Sequence, residues 1–277
     1  MRIPLAELHP FPNHPFHVRD DEAMQNTVDS IKEYGVLTPG IVRPREDGGY
    51  EVVAGHRRKH GSELAGLSDM PCIVREMDDD TATILMVDSN IQREDILPSE
   101  RAQAYKMKME ALKRQGARSD LTSPQVASKF RADDEVAKAA GISGDTVRRF
   151  VRLTELQPEL QQMVDEKKIA MTPAVELSYL KPEEQQMLLT AIDSEQATPS
   201  LSQAQRMKKL SQAGKLNDDT MLDIMMEQKK PEKCELTFSG DVLRKYFPRS
   251  YTPQRMQETI IKLLEAWVKK RQRDQER

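Results

Sequence analysis

The sequence predicts an α+β N-terminal domain, then an all-α domain holding a helix-turn-helix, then a small C-terminal strand–helix module. Three observations point there. Strand and helix signals mix over the first 95 residues, and from Pro98 onward the pattern is almost wholly helical. After the polar, proline-containing stretch 228–233, a short strand signal precedes a long helical one. The chain accordingly divides into residues 1–96, 97–213 and 214–277, with the helix-turn-helix at 135–153.

The elements follow in order. Ile3 to Leu8 alternates weakly, as a strand does. Residues 21–34 read as a helix capped by Asp20 or Asp21, with Met24, Val28 and Ile31 on one face. Gly35 stops it, Ile41-Val42 begins a strand, and Asp47-Gly48-Gly49 turns the chain into the returning strand Tyr50–Val53. A helix is predicted over Arg57–Leu64, a strand at Cys72–Val74, and a helix over Thr81–Ile91. Pro98 opens a helix through about Arg114, since proline's missing N–H costs little in a first turn. A break follows at 116–124. Short helices are predicted near 133–140, 144–154, 157–166, 173–179, 182–193 and 201–212. Beyond the linker come a strand at Cys234–Phe238 and a helix over Pro253–Arg273.

Composition narrows the function classes. The 277 residues are 31% charged and 5% aromatic, which suits a helix-rich protein with much solvated surface. The densest apolar run, Ile84–Val87, is one helical turn, and Met1–Glu7 lacks an apolar signal segment. A cytoplasmic protein with no membrane partner is expected. The net charge of −3 argues against a generally DNA-coating protein, so any DNA contact is a local basic patch. Cys72 and Cys234 lack paired spacing, and buried thiols fit better than a disulfide or zinc site.

Residues 135–153 fit a helix-turn-helix closely. Val136 and Ala140 share a face, Gly141 ends the first helix in a left-handed turn, and Ile142 plugs the turn. Ser143 or Asp145 caps the second helix, whose Val147, Phe150 and Val151 face inward. Thr146, Arg148, Arg149 and Arg152 then point mainly outward, with Ser143, Gly144 and Asp145 at the helix start. These seven are the candidate DNA-contacting residues. An ordinary helical hairpin with a solvated basic face remains open. The segment 101–118 carries six Lys/Arg and one acid, with Lys106, Glu110 and Arg114 spaced as a ladder, and reads as a solvated helix surface.

Two further clusters suit phosphate. Gly55-His56-Arg57-Arg58 lies where a strand runs into a helix: the glycine permits close backbone approach, the helix start offers free N–H groups, and guanidinium forks bind oxygens in pairs. About one strand and one helix later comes Ser89-Asn90-Ile91-Gln92-Arg93. Two such clusters in one small domain suggest a nucleotide site. His56 and His60 could present two metal ligands on a helix face, but no third matching ligand appears. His9 and His14 read as structural or solvent-facing.

In these residues the chain resembles the ParB family of DNA-partition proteins, whose phosphate motifs usually read GERR and ENLQR. The resemblance covers roughly residues 1–210. It implies a ParB-like N-terminal domain and a CTP-dependent, sequence-specific DNA clamp for segregating a chromosome, plasmid or mobile element. Pro15-Phe16-His17-Val18-Arg19 stands for the family's Pro-x-Gln-Pro-Arg around base and sugar. Thr38 and Pro39 belong to the next base-side stretch. Phosphate contacts would come from Gly55, His56, Arg57, Arg58, Ser89, Asn90, Gln92 and Arg93. Asn90 would help hold Mg²⁺, which favours oxygen ligands and phosphates. His56 and Ser89 replace the family's glutamates, so the resemblance extends to binding more than to hydrolysis, and a weak CTPase activity stays open. A palindromic double-stranded DNA site, a homodimer joined through the C-terminal module, a ParA-like ATPase partner and association with the nucleoid are further implications. A helix-turn-helix transcription regulator, or a nucleoid-occlusion-type protein without nucleotide turnover, is the alternative.

Overall fold

The computed structural model describes residues 1–93, 96–120 and 132–227, and beyond them 243, 245–248 and 250–275. The expected linker at 228–233, the strand at Cys234–Phe238 and Cys234 itself lie outside the described residues. The chain forms two compact units, Met1–Glu227 and Gln228–Arg277.

Five strands build the N-terminal sheet: β1 Arg2–Pro4, β2 Leu8–His9, β3 Gly40–Pro44, β4 Tyr50–Ala54 and β5 Asp69–Val74, in the order β1-β5-β3-β4-β2. β1 pairs antiparallel with β5, and β2 parallel with β4. The strand expected over residues 3–8 is therefore two strands, broken by a 3₁₀ turn at Leu5–Glu7. They lie at opposite edges of the sheet. A flat sheet of five strands would hold those edges about 19 Å apart, whereas Pro4 to Leu8 reaches at most about 14 Å. The sheet must curl, and Ile3, Leu8, Val42, Val52, Met70 and Cys72 fill its inside.

Helices α1 Glu22–Tyr34, α2 His56–Leu64 and α3 Asp79–Asn90 accompany the sheet. Asp21 caps α1 by accepting from the Met24 N–H at 2.8 Å, and Met24, Val28 and Ile31 are buried, as the spacing predicts. Helix α4 runs Pro98–Asp120, six residues past the expected end. Gly116 sits inside it rather than in a break, because neighbours α3, α5 and α6 pack along it. α4 is solvated on one face only, where Glu110, Lys113 and Arg114 are exposed. Lys108 is 3% exposed and paired with Asp88 of α3, and Arg114 bonds Asp80 at 2.7 Å rather than Glu110. One continuous core joins Phe11, Phe16, Met86, Tyr105, Val136 and Val147, so it crosses the expected boundary at residue 96.

Helices α5 Ala132–Ala140 and α6 Gly144–Arg152 form the helix-turn-helix, with Gly141 at φ +67° in the turn. Helices α7 Pro158–Asp165, α8 Met171–Leu177, α9 Pro182–Glu195, α10 Leu201–Gln212 and α11 Asp218–Met226 surround a second core. α11 has no counterpart among the expected elements. Met221, Ile224 and Met225 bury it against this core, so the first unit ends at Glu227 rather than at 213. Its signal was present: an Asn217 cap, acids at 218 and 219, and apolar residues at i, i+3 and i+4.

In the second unit, α12 spans Pro253–Gln275. Of the apolar residues on α12, Met256 is buried, but Leu263, Leu264 and Trp267 are exposed. No helix among the described residues is long and apolar enough to cross a membrane.

Candidate functional site

The turn from β4 into α2 places the first phosphate cluster. Gly55 caps α2 at φ +114°, ψ 22°, and no side-chain hydrogen bond caps the helix start. A Cβ there would lie 3.2 Å from the Gly40 Cα and 3.4 Å from the Arg58 Cζ. Glycine therefore satisfies both the backbone twist and the close packing. The first residues of α2, His56, Arg57 and Arg58, line a cavity of about 180 Å³ together with Gly55, Ser89, Asn90 and Arg93, and with His14, Phe16, Val18 and Ala54. Arg57 and Arg93 also line a second cavity of about 370 Å³, together with His17, Arg19, Asp21 and Glu100. The larger volume lies within the range of small-molecule sites, ~300–1,000 Å³, and the smaller lies below it. Residues distant in sequence thus converge on two shared arginines.

The arginines differ in freedom. Among the described residues Arg57 is held only by Asp21, at 3.8 Å. No side-chain partner of Arg93 is found among the described residues. Arg58 is committed: its guanidinium donates to the Thr38 and Pro39 carbonyl oxygens at 2.7 and 2.6 Å. Thr38 and Pro39 reach the site through that grip, and Thr38 lines an adjacent groove with Arg58. Gln92 lines neither cavity; its amide donates to the Ala139 carbonyl oxygen of α5 at 3.3 Å. Asn90 donates to the Met86 oxygen at 2.9 Å and to Ser89 Oγ at 3.2 Å, turning its NH₂ back on α3. That leaves its carbonyl oxygen as a neutral metal ligand. No group of three His, Cys, Asp or Glu able to hold a metal occurs among the described residues. His60 is taken by Asp20 at 2.7 Å and so stands apart from His56. A Mg²⁺ here would rest on phosphate oxygens with Asn90 beside it, a set magnesium tolerates.

Two residues escaped the sequence reading. Glu100 of α4, 6% exposed, accepts from the His17 N–H and lies 3.0 Å from its Nδ1, while its other oxygen accepts from the Leu97 N–H. With both oxygens engaged, it fastens the 14–19 loop to α4 rather than serving a metal. Its partner is 83 residues away, so no local pattern announces it. His14, expected to be structural or solvent-facing, stacks on His56 with centroids 3.8 Å apart inside the smaller cavity. Burial, then His14, then Lys59 push His56 down from 6.5 to about 3. Burial likewise lowers His14 and Arg58.

The helix-turn-helix presents a narrower basic face than its sequence suggests. Ser143 caps α6 by accepting from the Thr146 N–H at 3.2 Å, and Val147 is buried. Ser143, Asp145, Arg148 and Arg149 are exposed, Gly144 and Thr146 partly so. Arg148 is clasped between Asp133 and Asp145. Arg152, expected outward, turns back to the Ser178 hydroxyl at 3.2 Å and covers the Tyr179 ring at 4.2 Å. Near the end of α6 its side chain meets the turn after α8 before it meets solvent. Arg149 reaches Thr172 at 2.9 Å while staying exposed.

Comparison with known proteins bears on the whole of this region. The ParB N-terminal domain matches residues 1–91, and the ParB HTH domain matches residues 94–212. The chromosome-partitioning protein Spo0J of Thermus thermophilus is 35% identical over 184 residues, 66% of this chain and 61% of that protein. Stage 0 sporulation protein J of Bacillus subtilis is 36% identical over 169 residues, 61% of this chain and 54% of that protein. The matched region thus spans between half and two thirds of these relatives. A C-terminally truncated ParB from Caulobacter crescentus, complexed to the centromeric parS site, aligns over 76% of this chain and 98% of its own at 24% identity, with a TM-score of 0.46. Through its two consecutive ParB domains the chain belongs to the ParB family.

Proposed function

We propose that this protein is a sequence-specific DNA-binding partition protein whose N-terminal cavity binds a nucleoside triphosphate, CTP by family likeness. One observation carries the reading. Arg57 and Arg93, from separate turns, share two cavities at the N-terminus of α2, within the same compact unit as an exposed recognition helix. Arginine forks, a helix start and a glycine cradle together suit a polyphosphate. The triphosphate tail lies along Gly55, Arg57 and Arg93, while His17 and Arg19, fastened through Glu100, flank the sugar and base. Asn90 would help hold a Mg²⁺ ion, which would screen the charge of the phosphates.

DNA docks on α6 through its start, Ser143 to Thr146, and through Arg149. Nucleotide occupancy biases the unit between states that bind DNA differently, which requires unequal affinity for the two. The exposed Leu263, Leu264 and Trp267 on α12 support a homodimer, as two copies on a palindrome would need. The clamp acts in segregation of a chromosome, plasmid or mobile element, at the nucleoid and with a ParA-like ATPase.

Titration of CTP, ATP and GTP, each with and without the DNA recovered by genome-wide mapping, tests the proposal. CTP binding strengthened by a palindromic site, with occupancy spreading from that site, is expected. Discrete promoter peaks and no nucleotide binding would leave a helix-turn-helix regulator instead.

A further inference from the structure

The smaller cavity is walled by two imidazoles, of His14 and His56, whose Nε2 atoms meet no hydrogen-bond partner among the described residues. His14 Nδ1 lies 2.7 Å from the Phe16 carbonyl oxygen. A carbonyl only accepts, so Nδ1 carries the hydrogen and Nε2 keeps a lone pair. That Nε2, and Nε2 of the stacked His56, are buried without a hydrogen-bond partner among the described residues. A buried polar atom left unmatched destabilises the fold, because it has given up its water for nothing. Such atoms are rare in folded chains and mark places where something else uses them.

The surroundings explain why neither ring holds a proton unaided. His14 faces Arg93, His17 and one carboxylate, Glu100, while His56 faces His14 and Lys59. Arg57 and Arg58 line the same cavity. Glu100 already serves the His17 and Leu97 N–H groups. A protonated ring would be a cation among cations, out of water. A phosphate entering between Gly55 and Arg93 reverses that field, because an opposite charge within a few ångströms favours the charged form. The same entry gives a buried nitrogen an oxygen to donate to.

We propose that the stacked His14–His56 pair contacts the phosphate tail and takes up one proton from solvent as the anion enters, so that polyphosphate binding here is coupled to protonation. The proton settles on an Nε2, and the resulting N–H donates to a phosphate oxygen. No bond breaks and nothing is oxidised. This assigns His14 to the site and gives His56 a task that a glutamate at its position would not perform. The inference rests on the nucleotide reading above.

Calorimetry of CTP and of tripolyphosphate binding to the full chain, in Pipes and in Tris buffer, measures the protons exchanged. The ligand's own ionisation is common to wild type and the double variant H14Q/H56Q, which lacks both rings, so their difference reports the pair. Wild type should take up about one proton more, and its affinity advantage should grow by up to about tenfold per unit as pH falls from 8 to 6. Ring nitrogen and carbon shifts of His14 and His56 in the wild-type complex give a readout independent of how any variant folds. They should change from neutral to imidazolium on one ring when tripolyphosphate is added. Both rings neutral in a saturated complex, or equal proton uptake in wild type and variant, overturns the coupling alone. A wild-type chain that binds neither ligand at any pH overturns the nucleotide reading, and the coupling with it.

Discussion

His56 illustrates how one side chain links site and stability. Its folded pKa near 3, against 6.5 when free, is set by burial beside His14 and Lys59. Between those values the unfolded chain binds a proton that the folded chain refuses. Stability is therefore complete above pH 6.5 and falls as the solution is acidified, by at most about 1.4 kcal/mol per pH unit. Urea unfolding from pH 7 to 4.5 should show wild type losing stability more steeply than H56Q; parallel profiles would show that the ring is not the cause. Arg57 makes the opposite case. Its 3.8 Å contact with Asp21 is worth little to the fold. Arg57→Ala should leave the thermal midpoint nearly unchanged while weakening CTP binding by about 1.5–3 kcal/mol, the usual value of hydrogen bonds to a charged group. A large drop in the midpoint would mean that the arginine is structural. Of this site, the cationic turns were legible because each is a short local pattern. Glu100 and His14 were not, because their roles come from partners supplied by distant turns of the chain.

Among the elements, the recognition helix shows most clearly how packing edits a sequence pattern. Four outward residues of α6 read alike as DNA contacts, yet only Arg149 combines exposure with a single neutral partner, Thr172. Arg148 ties α6 to α5 through Asp133, whose side chain is 12% exposed. Removing Arg148 strands that carboxylate, and Arg152 is spent on the Ser178 turn. Arg149→Ala should lower affinity for the specific duplex by about 1–3 kcal/mol at unchanged stability. Arg148→Ala should lower the thermal midpoint and affect binding mainly through it. The prediction fails if Arg148→Ala retains the wild-type midpoint and Arg149→Ala does not. Helical spacing told which side of α6 faces inward, since Val147 had to be buried; it could not tell which outward arginines find acids on a neighbouring helix.

For the molecule as a whole, the decisive fact is that the N-terminal sheet and the helical region share buried residues. Tyr105 of α4 meets Phe150 of α6 edge-on at 5.6 Å, and Phe150 packs against both helical cores. Residues 1–227 should unfold in one cooperative step, as small compact units do. A chain ending at Glu227 should keep that transition. A chain ending at Ala213 exposes the surfaces that cover Met221, Ile224 and Met225, and burial of three such side chains contributes on the order of 5 kcal/mol. Differential scanning calorimetry of the two truncations decides; equal midpoints would mean that α11 is dispensable and that the break belongs at 213.

The sequence by itself determined the local elements and their order: the capped α1, the glycine-broken helix-turn-helix, the two arginine-bearing turns, and membership of a family through motifs at recognisable spacing. These are set by interactions within a turn or two of chain, where residue type and period suffice. Only packing across the fold decided that the first sheet curls, that one face of α4 is buried with Lys108 on it, that α11 belongs to the first unit, and that His14 and Glu100 face the same two arginines. Those outcomes depend on which surfaces exclude water together, and on which charges must then find a partner across the fold.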